Sequence, residues 1–394
     1  MFEGKNVVLG VTGSIAVYKA VDLASKLTQM GLTVDVIMTK AAQQFVTPLS
    51  FRSITHRPVV TDMFELSSEY SVEHVALAEK ANITVVAPAT ANTIAKLAAG
   101  IADEMVTSTV LATRSPVIVA PAMDVGMWEN PITKENVEQL RLHGFCIVGP
   151  AEGRLASGLV GSGRLVDNDE IIGTICQILG REGDLAGKNI IVSAGGTQEP
   201  IDVARVITNR SSGKMGYAIA EAARNRGATV TLVSGPTSLK PPVGVTAYHV
   251  TTASEMKDTL HNVINQADAI IMAAAVADYR TASSTNEKIK RESDTLTLNL
   301  VKTDDIIGGI KGTMLKVGFA AESDDIEERA SAKLKKKQLD LIVANDITAN
   351  DSGFGVDTNR VTLIDRQGNI EHLPLMRKTE VAYKILDKLV SLLP

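Results

Sequence analysis

Gly187-Lys188-Asn189-Ile190-Ile191-Val192 followed by Ala194-Gly195-Gly196-Thr197 reads as an apolar strand that stops in a glycine-rich turn. Downstream, Asn209-Arg210-Ser211-Ser212-Gly213-Lys214-Met215-Gly216 opens a helix-like Tyr217-Ala218-Ile219-Ala220-Glu221, and a second strand follows at Ala228-Thr229-Val230-Thr231-Leu232-Val233. This is a strand, turn, helix, strand unit of the doubly wound type, with ligand expected beyond the carboxyl end of the first strand. Backbone N–H groups at such a helix entrance point at an anion, and small hydroxyl residues add donors without blocking its approach. No G-x-x-x-x-G-K-[ST] is present, so this is not a Walker loop, and Ser-Ser-Gly-Lys alone also suits a tight turn before a helix.

The same beginning stands near the N-terminus. Gly4-Lys5-Asn6-Val7-Val8-Leu9 leads into Gly10-Val11-Thr12-Gly13-Ser14, an Ala-rich helix and then Thr33-Val34-Asp35-Val36-Ile37-Met38. The reading is therefore an α/β protein of two Rossmann-like doubly wound domains, 1–183 and 184–394. The boundary is placed in the polar stretch Gly180 to Asp184, after a helix-like Ile171 to Leu179. The duplication is also what a common fold used twice would give.

Composition agrees with that class. Ala, Val, Ile and Leu dominate while aromatic residues are 4% of the 394, which suits close-packed helices on buried parallel strands. A formal charge of -5 without a sustained basic stripe argues against nucleic acid and for a small anionic substrate. The locally basic Lys333 to Lys337 fits a solvated helix face. Two cysteines, Cys146 and Cys176, exclude a disulfide framework. The opening residues lack a basic region followed by an apolar one, and no apolar run approaches ~18 residues, so neither membrane nor export is expected and the compartment is expected to be cytoplasmic.

A second cluster lies in the first half. The strand Ile83-Thr84-Val85-Val86-Ala87 ends in Pro88-Ala89-Thr90-Ala91-Asn92-Thr93, and Val117-Ile118-Val119-Ala120 ends in Pro121 to Trp128. With Ser14 and Thr39 at the ends of the first two strands, these segments are expected to line one mononucleotide pocket. Thr and Asn would read a phosphate or heteroaromatic ring, and Met and the single Trp would cover its apolar face. Each segment alone also fits strand stops and helix caps. His74, in Ser71 to Ala78, sits near a helix start that suits a neutral base, although a lone histidine is commonly structural.

Together these stretches carry a resemblance across nearly the whole chain. Gly-Val-Thr-Gly-Ser-Ile-Ala-Val-Tyr-Lys at 10–19, the His74 segment, Pro-Ala-Thr-Ala-Asn-Thr at 88–93 and Pro-Ala-Met-x-x-x-Met-Trp at 121–128 resemble the flavin-dependent cysteine decarboxylases. The second half resembles the phosphopantothenate-cysteine ligases. Its motifs are Ala-Gly-Gly-Thr-Gln-Glu-Pro-Ile-Asp at 194–202, Asn209 to Gly216, Ala-Ala-Ala-Val-Ala-Asp-Tyr-Arg at 273–280, Lys288 to Lys290, Gly-Phe-Ala-Ala-Glu at 318–322 and Ala-Asn-Asp at 344–346. In this order they resemble the fused enzymes of bacterial coenzyme A biosynthesis, which implies a flavodoxin-like first half and a nucleotide-binding second half.

The resemblance implies that the C-terminal half joins 4'-phosphopantothenate to cysteine with CTP. An amine cannot expel oxide from a carboxylate, so the carboxylate would first attack the α-phosphate to make an acyl-cytidylate, which cysteine then opens. Lys288 corresponds to the lysine that supports the first step, and Asn209 to the asparagine that holds the intermediate. Ala273, Ala274, Asp278, Asp305, Phe319, Lys333 and Lys337 match nucleotide-site positions. Magnesium is implied by the triphosphate, without assignable ligands.

For the N-terminal half the resemblance implies FMN and the decarboxylation of phosphopantothenoylcysteine to 4'-phosphopantetheine. Flavin oxidation of the thiol would supply the electron sink that a simple α-amido carboxylate lacks. His74 matches the catalytic histidine, and Gly13, Ser14, Thr39, Ala89, Thr90 and Asn92 are the expected flavin contacts. Two positions depart from the family. Asp124 stands where Asn is usual, and Ser157, in Arg154 to Arg164, stands where a reducing-step cysteine is usual. A raised pKa would make Asp124 the replacement proton donor, and Asp124→Asn would then lower turnover. The alternatives are a decarboxylase that stops at an oxidised enethiol beside an active ligase, or a flavin-binding regulatory or scaffold protein. The resemblance further implies a homo-oligomer, with trimers of the flavin domain and dimers of the ligase domain giving a dodecamer.

Overall fold

The computed structural model describes residues 2–64, 72–290, 295–322, 325–346, 353 and 355–393. Ser71, at the head of the His74 segment, lies outside them. The chain forms two compact units, Met1–Leu179 and Gly180–Pro394.

In the first unit β1 (Asn6–Val11), β2 (Thr33–Met38), β3 (Val59–Val60), β4 (Ile83–Ala89), β5 (Val117–Pro121) and β6 (Cys146–Ile147) form a parallel sheet. Its order is β3-β2-β1-β4-β5-β6. Successive residues of β1 enter opposite cores, Leu9 with Leu23, Leu27 and Ile175, and Val8 with Ile94, Val106 and Leu140. That alternation follows from the two-residue period of a strand and leaves β1 apolar on both faces. The helix Val17–Gln29 answers it with Val17, Ala20, Leu23, Ala24 and Leu27, one buried stripe at helical spacing. Each such leucine or valine stabilises the fold by roughly 1.5–3 kcal/mol. Cys146 and Cys176 form no disulfide.

A hairpin of β7 (Ala151–Arg154) and β8 (Val160–Arg164) closes on the end of β5. The Met123 N–H donates to the Gly163 carbonyl over 2.9 Å. Gly163 has φ +154°, and a side chain there would collide with the Met123 carbonyl oxygen, so this approach requires glycine.

The second unit is built on β9 (Asn189–Ala194), β12 (Thr229–Ser234), β13 (Thr246–His249), β14 (Ala269–Met272), β17 (Leu315–Glu322), β18 (Leu341–Asp346), β20 (Val361–Asp365) and β21 (Ile370–His372). They lie in the order β13-β12-β9-β14-β17-β18-β20-β21, parallel up to β18 and antiparallel beyond it. Helices Lys214–Asn225 and Lys378–Leu392 pack on one face through Ile219, Ile385 and Leu386. Helices Ala253–Val263 and Ile326–Lys336 pack on the other through Met256, Leu260 and Leu334. Three short antiparallel pairs of the described residues stand beside the sheet, β10 (Gln198–Pro200) with β11 (Val206–Thr208), β15 (Tyr279–Thr281) with β16 (Leu300–Lys302) and β19 (Thr358–Asn359) with β22 (Met376–Arg377). Among the described residues no helix is long and apolar enough to cross a membrane.

Candidate functional sites

In the first unit the strand order reverses between β1 and β4, the place where open α/β sheets leave a crevice. Thr12 ties the two strand ends together: its Oγ1 donates to the Pro88 carbonyl (2.7 Å) and accepts the Thr90 N–H (3.0 Å). Beyond this knot opens a cleft of about 1180 Å³ lined by Gly13, Ser14, Thr39, Thr90 and Asn92. A Cβ on Gly13 would stand 2.5 Å from that of Ala41, so only glycine lets the turn pass. Thr39 Oγ1 accepts the Ala42 N–H at 3.1 Å, and Thr90 caps the helix Ala91–Ala99 by accepting the Thr93 N–H at 3.3 Å. The helix therefore turns its partly positive end toward the cleft.

Of the six expected flavin contacts only Ala89 does not line the cleft; it is fully buried in β4, its methyl in the core beside Ile94. Trp128 also differs from the expectation. Its ring packs in the core with Val137 and Leu140, under the Lys134 ammonium 4.0 Å away, and Met123 and Met127 face the cleft instead. The short helix Val125–Glu129 turns the indole inward, where its large apolar area is best removed from water. His74, half-buried at the start of helix Glu73–Lys80, is not among the lining residues.

One wall of the cleft is charged. Lys19 donates to the Leu165 carbonyl (3.2 Å) and faces Asp167 (3.5 Å), which also pairs with Arg164 (3.2 Å). Burial pushes the Asp167 carboxyl up, but the two cations outweigh it and hold it below the usual range.

Asp124 and Ser157 meet at the cleft. Ser157 Oγ donates to Asp124 Oδ2 at 2.6 Å, and the Gly126 N–H donates to Asp124 Oδ1 at 3.1 Å. These two bonds, the hydroxyl first, pull the carboxyl below its ordinary value against a smaller effect of burial. A lowered pKa runs against the proton-donor role, which called for a raised one, and the Ser157 hydroxyl points at the carboxylate.

In the second unit the order reverses between β9 and β14. Gly195 and Gly213, both at φ near +75°, and Gly235 pack backbone against backbone, with no room for a Cβ at Gly195 beside the Gly235 carbonyl at 2.8 Å. Asn209 Nδ2 reaches across to the carbonyls of Ala275 (3.4 Å) and Val276 (3.0 Å). Ala273 and Ala274 form the turn after β14, Ala274 N–H donating to Ser193 Oγ at 3.1 Å. Asp278 is exposed, and its carbonyl accepts the Thr303 N–H at 3.0 Å.

Further along the same edge, Lys333 Nζ donates to the Phe319 carbonyl (2.8 Å) and Lys337 Nζ to Asp305 Oδ1 (2.9 Å). Burial pushes Asp305 up, but Lys337, the Gly308 N–H and Lys333 bring it below the usual range. Lys288 lies exposed in the loop after β15. Lys214, in the motif that opens the helix, is engaged by the Gly355 carbonyl (2.9 Å) and Asp357 (2.7 Å). Among the described residues no group of three or more His, Cys, Asp and Glu is gathered for a metal.

Residues 1–180 match the flavoprotein family, and residues 185–393 match the family described as the DNA/pantothenate metabolism flavoprotein C-terminal domain. The coenzyme A biosynthesis bifunctional protein CoaBC of Bacillus subtilis (strain 168) is 45% identical over 398 residues, covering 100% of this chain and 98% of the relative. That of Escherichia coli (strain K12) is 42% identical over 395 residues, covering 98% and 97%. The chain belongs to the bifunctional coenzyme A biosynthesis protein family. A crystal structure of the C-terminal domain of a CoaBC is 42% identical, covering 54% of this chain and 98% of that one with a TM-score of 0.47.

This member of the bifunctional coenzyme A biosynthesis family is an enzyme with a flavoprotein decarboxylase half and a ligase half. Reading the sequence missed the Thr12 knot and the Lys19 wall, although both residues lie in the quoted Gly10 to Lys19 motif. It also missed Asp202, whose place depends on a loop more than eighty residues away.

Proposed function

We propose that the first unit binds FMN in the β1/β4 cleft and decarboxylates phosphopantothenoylcysteine, and that the second makes this substrate from 4'-phosphopantothenate and cysteine with CTP and Mg²⁺. The family membership over the full length of both halves is the observation that carries this reading. The cleft suits FMN because its volume exceeds that of a drug-sized pocket, its lining supplies hydroxyls and an amide beside two methionines, and the helix N-terminus at Thr90 would favour the cofactor's phosphate. Ser14, Thr39, Thr90 and Asn92 would hold the cofactor, whose bound form supplies an acceptor for the electrons left by carbon dioxide. Lys19 and Arg164 add positive charge on the wall where an anionic substrate enters. His74 acts as base or positions the cysteinyl group, and it comes to the cleft through assembly of a homo-oligomer.

In the second unit Asn209 holds the acyl-cytidylate, and Lys288 offsets charge as pyrophosphate leaves. Ala273, Ala274, Asp278, Asp305, Phe319, Lys333 and Lys337 form the CTP site, with Mg²⁺ held mainly by phosphate oxygens. The enzyme works in the cytoplasm. The test gives purified protein FMN, 4'-phosphopantothenate, cysteine, CTP and Mg²⁺ anaerobically, and follows pyrophosphate, carbon dioxide and thiol by mass spectrometry. Phosphopantetheine with equivalent carbon dioxide supports both assignments. Accumulated phosphopantothenoylcysteine, or a product two hydrogens lighter, would contradict the decarboxylase assignment.

A further inference from the structure

Asp202 has a side chain with 0% exposure, an unusual position for a carboxylate at the tip of a small hairpin. Its Oδ1 accepts the N–H groups of Ala204 and Arg205, each at 2.8 Å, which folds the tip between β10 and β11. Its Oδ2 reaches outside the hairpin, accepting the Ile289 N–H at 3.1 Å and facing Arg205 Nε at 3.1 Å. Arg205 completes the grip by donating from Nη2 to the Ile289 carbonyl at 2.6 Å. Both polar atoms of one peptide residue are thus held by one ion pair, and that residue follows Lys288.

The stitching continues along the loop. Thr281 Oγ1 donates to the Pro200 carbonyl (2.9 Å), and the Thr285 N–H to the Ile201 carbonyl (3.4 Å). The other end of the hairpin runs into Thr208 and Asn209, whose amide is fixed on Ala275 and Val276. One hydrogen-bonded hairpin therefore carries Asn209 at its base and holds the Lys288 loop at its tip.

We propose that Asp202 is a positioning residue for Lys288, fixing the Ile289 backbone so that the lysine is presented at a set distance from Asn209. This rests on the reading of Lys288 as the residue that supports acyl-cytidylate formation. Asp202→Asn is the sharp probe. The amide oxygen still accepts from Ala204 and Arg205, while its NH₂ meets the Ile289 N–H donor to donor and releases the loop. Ile289→Pro removes the same bond from the other side and leaves the hairpin tip whole.

The experiment measures phosphopantothenate-dependent exchange of labelled pyrophosphate into CTP, which reports the first step alone, with KM for CTP and the melting temperature. Displacement of Lys288 by about 1 Å costs roughly 10- to 100-fold in exchange rate. Both variants are expected to show that loss with KM and melting temperature near wild type, and Asp202→Asn combined with Lys288→Gln is expected to be no slower than Lys288→Gln alone. Wild-type exchange in Asp202→Asn and Ile289→Pro, or a loss that multiplies with Lys288→Gln or follows the melting temperature, overturns the inference. Full exchange in Lys288→Gln would instead remove the underlying reading of the lysine.

Discussion

Ser157 Oγ donates a hydrogen bond to Asp124 Oδ2 across 2.6 Å, joining the tip of the β7–β8 hairpin to the segment after β5 at the cleft. The bond, and after it that from the Gly126 N–H, lowers the Asp124 pKa from its ordinary value. A fixed negative charge here repels any substrate carboxylate.

Asp124→Asn keeps its one oxygen for the Gly126 N–H, turns an NH₂ toward Ser157 Oγ, which can accept, and removes the charge. The expected outcome is a several-fold fall in KM for phosphopantothenoylcysteine with kcat little changed, read in steady-state decarboxylation assays. This reverses the loss of turnover expected of a proton donor, and a collapse of kcat would restore that role. Because the folded pKa is lowered, the carboxylate persists above its ordinary value and is lost only as pH falls through the lowered one. No titration of Asp124 should appear in kcat/KM near neutral pH.

Gly13→Ala places a methyl 2.5 Å from that of Ala41. Overpacking of this kind costs about 1–3 kcal/mol and displaces the turn that lines the cleft. Purified protein should carry less flavin, measured by its visible absorbance per polypeptide, while ligase turnover stays unchanged.

Asn209→Asp sets a carboxylate oxygen against the carbonyls of Ala275 and Val276, where an N–H now donates. Like-charged dipoles and loss of the donor should lower ligase turnover roughly 10- to 100-fold. Decarboxylation of supplied phosphopantothenoylcysteine should be untouched, because Asn209 belongs to the second unit.

Asp365 gives a pH-dependent stability term. Burial pushes its carboxyl up, but hydrogen bonds from Lys388 (2.8 Å) and from Asn369 outweigh this and bring it from 3.8 to about 2. A depressed folded pKa stabilises above the unfolded value and ceases to do so as pH falls through the folded one. The contribution is on the order of 2 kcal/mol at neutral pH. The gap in melting temperature between wild type and Asp365→Asn should begin to narrow at about pH 5 and go on narrowing as pH falls to about 2.

The sequence determined the two doubly wound units, because strands apolar on both faces, such as Val7 to Leu9 and Ile190 to Val192, stop in glycine turns and have few other ways to be buried. It also placed Gly13, Ser14, Thr39, Thr90 and Asn92 in the cleft, since they stand at strand ends, where doubly wound sheets leave a crevice. The orientation of Trp128 and the charge of Asp124 were not legible there. Each depends on a neighbour distant in sequence or on a helix turn that sends one side chain inward: the indole joins Leu140, and the carboxylate meets Ser157. Tertiary structure alone decided that Asp202 holds Ile289, because a residue's pattern reports its own face of an element, whereas a hydrogen bond between loops arises only when folding brings them together.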